Sequence, residues 1–463
     1  MLRLAITALL LLSACTKPNP RSCADGLCTD QAFPFCDVDG TLGGNANECI
    51  AVTCEPSAFT ACRGDIAITC NEVGNDFNLV QCPLGCGAAT GCLACTSDAQ
   101  CANPTPICEA GTACRGCTED DECPSRVCDA GSCVAESDVV YAANDGIATS
   151  DCSLAVPCTV ERAVELTKAA FPQPTIRMLP GVYLVGLSFN GPTTSPINIV
   201  ASGATIADVI ALNVQAGAEV RIRGPELVGT SFAVSCGEAN TTISKVTIED
   251  ANLIAGTESA NAVGGAASEI SISSSKLTVN DGGAISIARG ARFTGDRLQI
   301  AGTQTFILMI FDNVHLTLTN SVIEDPVINF ATGGTLASSA LFAFNTIVFT
   351  SINEIQCGAL DDNLTARFHN NIVVGNGVQT SPVITGTQCE LISNILHPQP
   401  SPPATNLDVD PMFVDPSTKD FRVQASSPAV DTADASVVFV PDHDFSGAVR
   451  PQGIGHDIGA FEQ

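Results

Sequence analysis

The chain has 463 residues, too many for one small domain, and its 24 cysteines are so unevenly spread that at least two unlike regions are implied. Twenty Lys and Arg stand against 49 Asp and Glu, a formal net charge of −29, which argues against nucleic acid, anionic lipid surfaces and polyanionic glycans as partners. Trp is absent, Tyr occurs twice, and β-branched residues recur in short runs, so strands are favoured over helices.

Met1-Leu2-Arg3 supplies a short positive start and Leu4 to Leu12 an apolar run, the pattern of a secretory signal over residues 1–14. The run is far shorter than the roughly 20 apolar residues a membrane-spanning helix needs. Leu12-Ser13-Ala14-Cys15 resembles the bacterial lipobox, which implies that Cys15 is acylated and becomes the first residue of the mature chain. Each buried methylene of such an anchor contributes about 0.8 kcal/mol, so the expected membrane partner is the bilayer itself, through the lipid. Residues 15–22 carry two prolines and little apolar content and read as an extended tether. Thr16, not Asp, follows the cysteine; by resemblance to lipoproteins of diderm cells this implies the outer membrane, or the plasma membrane in a monoderm source.

Eighteen cysteines lie between Cys23 and Cys133, a density typical of small exported domains whose apolar core is insufficient. Cys95-Thr96-Ser97-Asp98-Ala99-Gln100-Cys101 returns 22 residues later as Cys117-Thr118-Glu119-Asp120-Asp121-Glu122-Cys123, and Cys108 to Cys114 is matched by Cys128 to Cys133. Nine disulfides are expected, with connectivity left open by spacing alone. The competing reading is zinc, because Cys92-Leu93-Ala94-Cys95 and Cys114-Arg115-Gly116-Cys117 are two CxxC pairs at a zinc-like separation. An oxidising compartment and a repeat boundary running through both pairs favour disulfides. The segment resembles the cysteine-dense regions ahead of β-helix domains in surface proteins of myxobacteria.

Residues 134–138 read as a linker, and strands begin at Val139. Thr159 to Phe171 is predicted as one amphipathic helix with Thr159 as N-cap and Pro172 as its stop. Thr175-Ile176-Arg177-Met178-Leu179-Pro180-Gly181-Val182-Tyr183 follows, and helix plus strand resemble the opening of pectin-lyase-like proteins, implying an all-β, right-handed parallel β-helix over residues 139–463. Short strands then recur behind a small polar residue: Asn320-Ser321-Val322-Ile323, Asn345-Thr346-Ile347-Val348, Asn370-Asn371-Ile372-Val373 and Ser393-Asn394-Ile395-Leu396, at intervals of 25, 25 and 23 residues. Repeats of this length mean a solenoid. Val246, Leu277, Leu298, Val322, Ile347, Ile372 and Ile395 are expected to form one internal ladder, and Asn320, Asn345 and Asn370 another, with amides bonded along the stack. Cys152 and Cys158 should close a local loop, Cys357 and Cys389 should join rungs, and Cys236 should remain unpaired.

Asp410-Pro411-Met412-Phe413, Asp420-Phe421-Arg422-Val423, Ser427-Pro428-Ala429-Val430-Asp431, Asp442-His443-Asp444-Phe445-Ser446-Gly447-Ala448-Val449-Arg450-Pro451 and Asp457-Ile458-Gly459-Ala460-Phe461-Glu462 stand in the order seen at the carboxyl end of choice-of-anchor Q β-helix proteins. The resemblance covers about 408–463. It departs at Asp431-Thr432-Ala433, where the family often has Asp-x-Gly. Asp442, Asp444, Arg450, Asp457 and Glu462 are read as a buried polar network closing the coil, with calcium the alternative. No other cofactor and no catalytic residue is expected.

The resulting functional reading is a noncatalytic envelope lipoprotein facing outward, for display or adhesion to a glycan or surface protein. The rival is a polysaccharide lyase or hydrolase. A lyase acting on uronates needs a cationic groove, yet residues 134–463 hold 14 Lys and Arg against 33 Asp and Glu. A hydrolase needs flanking carboxylates, and the best pair in the sequence, Asp361-Asp362, lacks supporting neighbours.

Overall fold

A computed structural model describes residues 21–23, 27–109, 111–169, 174–238, 242–256, 260–280, 282–303, 305–310, 313–331, 336–357, 363–436 and 439–463. The chain divides between Val134 and Ala135 into two compact units.

In the first unit the strands are short and antiparallel, and the longest sheet has three, Phe59–Arg63, Ile66–Cys70 and Phe77–Gln81. Its apolar core is small: Phe35, Val52 and Ile68 with Phe77 set edge-on to Phe35. Nine disulfides supply what that core lacks. The cysteine repeat is structural: Cys95–Cys108 and Cys101–Cys114 in one copy correspond to Cys117–Cys128 and Cys123–Cys133 in the next. Asp98 accepts the amide of Cys108 at 2.7 Å, and Asp120, 22 residues on, accepts that of Cys128 at 3.0 Å. Each CxxC sends its two cysteines to different partners, which removes the zinc alternative: Cys92 bonds Cys82, Cys95 bonds Cys108, Cys114 bonds Cys101, and Cys117 bonds Cys128.

The second unit is a parallel β-helix with three faces. Sheet A runs through eleven strands from Val139–Ala142 to Glu390–Ile392. Sheet B starts at Gly181–Tyr183 and ends at Ile395–His397, and sheet C starts at Leu187–Asn190. Two long strands, Ala204–Gln215 and Glu226–Cys236, pass through both B and C without a break. The helix α1 (Val160–Ala169) covers the first rung, burying Val160, Ala163 and Thr167. Thr159 caps it, its hydroxyl accepting the amide of Arg162 at 3.4 Å; the predicted stop at Pro172 lies outside the described residues. Tyr183 donates to Leu179 O and Ala142 O, and its burial pushes the phenol up to about 12.

A rung alone cannot bury its apolar side, but stacking rungs about 4.8 Å apart pairs the backbone and aligns like side chains. The inner row of sheet B is Tyr183, Ile206, Leu227, Leu253, Leu277, Ile300, Ile323, Ile347, Val373 and Leu396, all buried. On sheet A, Phe342 and Phe368 stack face to face, centroids 4.7 Å apart. Cys152–Cys158 and Cys357–Cys389 are bonded, and Cys236 is free and buried.

Two expected ladders are corrected by register. Only Leu277 and Ile347 of the predicted apolar ladder are in the inner row. Val246 belongs to sheet A, Leu298 precedes the strand of its rung, and Val322, Ile372 and Ile395 point outward. A one-residue slip moves a strand's whole side-chain set to the other face. The amide ladder keeps the expected Asn345 but is displaced by one residue at the rungs of Asn320 and Asn370: it is Ser321, Asn345, Asn371, Asn394 and Asn406. The side-chain oxygens of Asn345, Asn371, Asn394 and Asn406 accept the backbone amide one rung below at 2.9–3.0 Å. The amide nitrogens of Asn345, Asn371 and Asn394 donate to the carbonyls of Leu318, Phe342 and Phe368. Asn320 and Asn370 instead sit one residue earlier with φ of 47° and 55°, in the left-handed turn before the strand, a conformation asparagine tolerates better than most residues.

Candidate functional site

The outer face of sheet B carries the features of interest. Its first outward row reads Thr205, Glu226, Asn252, Lys276 and Gln299, then Val322, Thr346, Ile372 and Ile395. The row turns from polar to largely apolar after Gln299, where a cover begins.

That cover is the carboxyl-terminal extension, about 408–463. Phe421 and Ala460 pack on Val322 and Val348, while Val423, Ala429 and Ile458 pack on Ile372 and Ile395. Polar contacts fix its register on the coil. The amide of Ala460 donates to Thr346 Oγ1 at 3.1 Å, Asn370 pairs reciprocally with the backbone of Asp434 at 2.8 and 3.1 Å, and Lys419 Nζ lies 2.6 Å from the buried Glu324. The tip is held by His443, whose Nε2 is 2.8 Å from Asp296 Oδ2.

Within the extension, Arg450 and Glu462 form a fully buried ion pair at 2.5 Å. Arg450 also donates to Gly459 O, Asp457 O and His443 O, and its guanidinium lies 4.9 Å from the Phe344 ring centroid. Asp444 accepts Ser446 Oγ and the amides of Ala448 and Glu462; Asp457 accepts the amides of Asp431 and Gln463. Burial pushes Asp457 and Glu462 above the ordinary carboxylate value and Arg450 below the ordinary guanidinium value, against their mutual attraction. Four of the five predicted network residues are thus assembled. Two corrections apply. The side chain of Asp442 is 93% exposed and meets only His443, because its neighbour rather than itself faces the coil. The network also does not close the coil; it stiffens a strap laid along the outside of sheet B.

Where the strap stops, an open groove of about 690 Å³ remains, lined by Thr205, Glu226, Asn252, Lys276, Gln299 and the turn residues Asp250 and Arg297, with Phe445 and Ser446 of the strap at one wall. Glu226 accepts Thr205 Oγ1 at 3.3 Å and Asn252 Nδ2 at 3.0 Å, so neighbouring rungs brace each other. A second cavity of about 650 Å³ lies between the last rungs and the strap, lined by Phe349, Gln379, His397, Met412 and Phe413 among others. There His397 Nδ1 is 2.8 Å from Asp408.

Cys15, Asp361 and Asp362 lie outside the described residues. Among the described residues, the groups of three or more His, Cys, Asp or Glu close enough to share an ion consist of disulfide-bonded cysteines. Both tyrosines are buried in the first rungs. Sequence reasoning missed Asp296, Glu324, Asn370 and Lys419 as docking residues and the groove row as a surface. The available signal was the polar-to-apolar switch after Gln299, readable only once the register is known.

Fold and site together define a parallel β-helix protein with a disulfide-stapled amino-terminal unit and a strapped outer face. No known family matches the chain, and no curated protein does. Among solved structures, the pectate lyase Pel9A is similar over 70% of this chain and 96% of its own, at 14% identity and a TM-score of 0.49. An alginate lyase from a Paenibacillus species is similar over 55% of this chain and 95% of its own, at 13% identity and a TM-score of 0.20. Neither likeness bears on chemistry; the architecture rests on the strand register itself.

Proposed function

We propose that this chain is an exported lipoprotein of the choice-of-anchor Q type, tethered through Cys15, whose β-helix is held out from the envelope as a binding surface and cleaves nothing. The observation that carries the reading is the use made of the ionisable clusters at the carboxyl end. Asp444, Arg450, Asp457 and Glu462 have their donors and acceptors turned inward on the strap's own backbone, which spends them on structure. The groove beside the strap offers one polar side chain per rung and charges of both signs, Glu226 and Asp250 with Lys276 and Arg297. That pattern suits an extended glycan chain held by hydrogen bonds, and the net charge of −29 weighs against a polyanion. Fold alone does not decide between binding and catalysis, so the test is direct. The purified full chain should retain neutral glucans or amino-sugar polymers on an affinity gel while releasing neither reducing ends nor unsaturated uronate from pectin, alginate or glucans. Turnover above background would overturn the noncatalytic reading. Cys15→Ser should shift the protein from the membrane fraction to the soluble one, and retention on membranes would remove the anchor from the proposal.

A further inference from the structure

Beside the packing of Phe445 on the cluster that holds Val322 and Val348, the tip of the strap meets the coil through an imidazole. Nδ1 of His443 lies 2.5 Å from Asp442 Oδ1 and Nε2 lies 2.8 Å from Asp296 Oδ2. A neutral imidazole carries one N–H and one lone pair, so it can donate to one of these carboxylates only by turning a lone pair on the other. The imidazolium donates to both. Asp296 is a prepared acceptor: Thr319 Oγ1 at 2.8 Å and Asn320 Nδ2 at 2.9 Å hold its other oxygen, and Arg297 Nε lies 3.2 Å from the oxygen that meets His443.

We propose that the seating of strap residues 442–449 on the coil is proton-linked, with protonated His443 as the pin and loss of its proton loosening the tip. Phe445 and Ser446 belong to that tip and form one wall of the groove, so the groove's shape follows the same proton. The inference rests on the latch geometry and not on what the groove binds, and the two readings fail separately.

The charges facing His443 come from both sides. Asp296 from the coil and Asp442 from the strap favour the cation, and Arg297 from the coil opposes it. Asp444 and Arg450 of the strap are close by but engaged elsewhere, Asp444 with Ser446, Ala448 and Glu462, Arg450 with Glu462 and carbonyls that include that of His443. Burial works against the imidazolium, but the hydrogen bond and charge of Asp296, with the hydrogen bond of Asp442, outweigh it and the pKa lies above its ordinary 6.5. For Asp296 burial acts upward, and hydrogen bonds from His443, Thr319 and Asn320 outweigh it, leaving the carboxyl below its ordinary 3.8. A raised histidine stabilises below its unfolded value and is lost as pH rises through its folded value; a depressed aspartate stabilises above its unfolded value and is lost as pH falls through its folded one. The pin therefore holds from acid pH near the aspartate value up to and past 6.5.

Hydrogen exchange on the full chain, corrected for the intrinsic pH dependence, tests this from about pH 5 to about pH 9, a range that brackets the ordinary imidazole value. The amides of Phe445 and Arg450 bond Ala460 O and Asp442 O and report the tip. Their protection should fall with rising pH, by about tenfold for each unit by which the histidine is raised. Residues 419–423, latched by Lys419 and Glu324, should show no such step. His443→Gln should leave the tip weakly protected at every pH. Asp442→Asn should flatten the wild-type response and retain protection at high pH, because a neutral imidazole then satisfies both neighbours; this variant and the wild-type titration carry the test if His443→Gln misfolds. Protection of the tip independent of pH, an NMR titration placing His443 at or below 6.5, or an unchanged response in Asp442→Asn would each overturn the proposal.

Discussion

The two units solve the same problem by opposite means. The described residues of the first unit include few buried apolar side chains and are held by nine cross-links that close loops of 10 to 24 residues. The β-helix has a continuous apolar interior and two disulfides, and its order comes from rungs that repeat the same contacts. Covalent closure stabilises chiefly by restricting the unfolded chain, whereas stacking stabilises the folded state directly. The first is sensitive to redox conditions and the second to register.

Reduction should separate them most sharply. Each disulfide in such a unit contributes about 2–5 kcal/mol, comparable to the whole stability of a small domain, so a thiol reductant should unfold the first unit. The β-helix should keep its strand signal by circular dichroism. Before reduction, alkylation in denaturant should label Cys236, and in the native protein it should not, because burial pushes that thiol up to about 12. A β-helix that melts with the first unit would break the comparison.

Within the β-helix, the largest single-residue effect is expected at the strap. Arg450→Ala leaves Glu462 buried and uncompensated, a change that costs about 3–5 kcal/mol, and should expose sheet B to exchange from Val322 to Ile395 while sheet A stays protected. Next comes the amide ladder. Asn371→Ala leaves the amide of Asn345 without its side-chain acceptor and takes one donor from the carbonyl of Phe342, and an unsatisfied buried group costs about 1–3 kcal/mol, read as a lower urea midpoint. Asn370→Gly, which keeps the left-handed turn at φ 55°, removes the pairing with Asp434 and should cost about 1 kcal/mol, confined to the strap. If the two asparagines behave alike, the distinction between ladder and docking residue is wrong. The smallest effect is the cap of α1: Thr159→Ala should cost about 1 kcal/mol, seen as a small drop in the β-helix melting temperature.

Composition and spacing determined much of this protein without a structure. Cysteine density over residues 23–133 points to disulfides whatever their pairing, and a repeat of 23 to 25 residues with β-branched runs implies a stack of rungs. Helix α1 and the Cys152, Cys158, Cys357 and Cys389 bonds were also legible, since each depends on local pattern or on few alternatives. Tertiary structure alone decided which side of each sheet B strand faces inward. Val322-Ile323, Ile347-Val348 and Ile372-Val373 are apolar at adjacent positions because one residue faces the interior and its neighbour faces the strap. A strand covered on both sides has lost the alternation that marks its register. The candidate site depends on that register twice over. The polar row from Thr205 to Gln299 is a row only when the rungs are aligned, and Asp296 meets His443 only because 147 residues of chain fold back to bring them together.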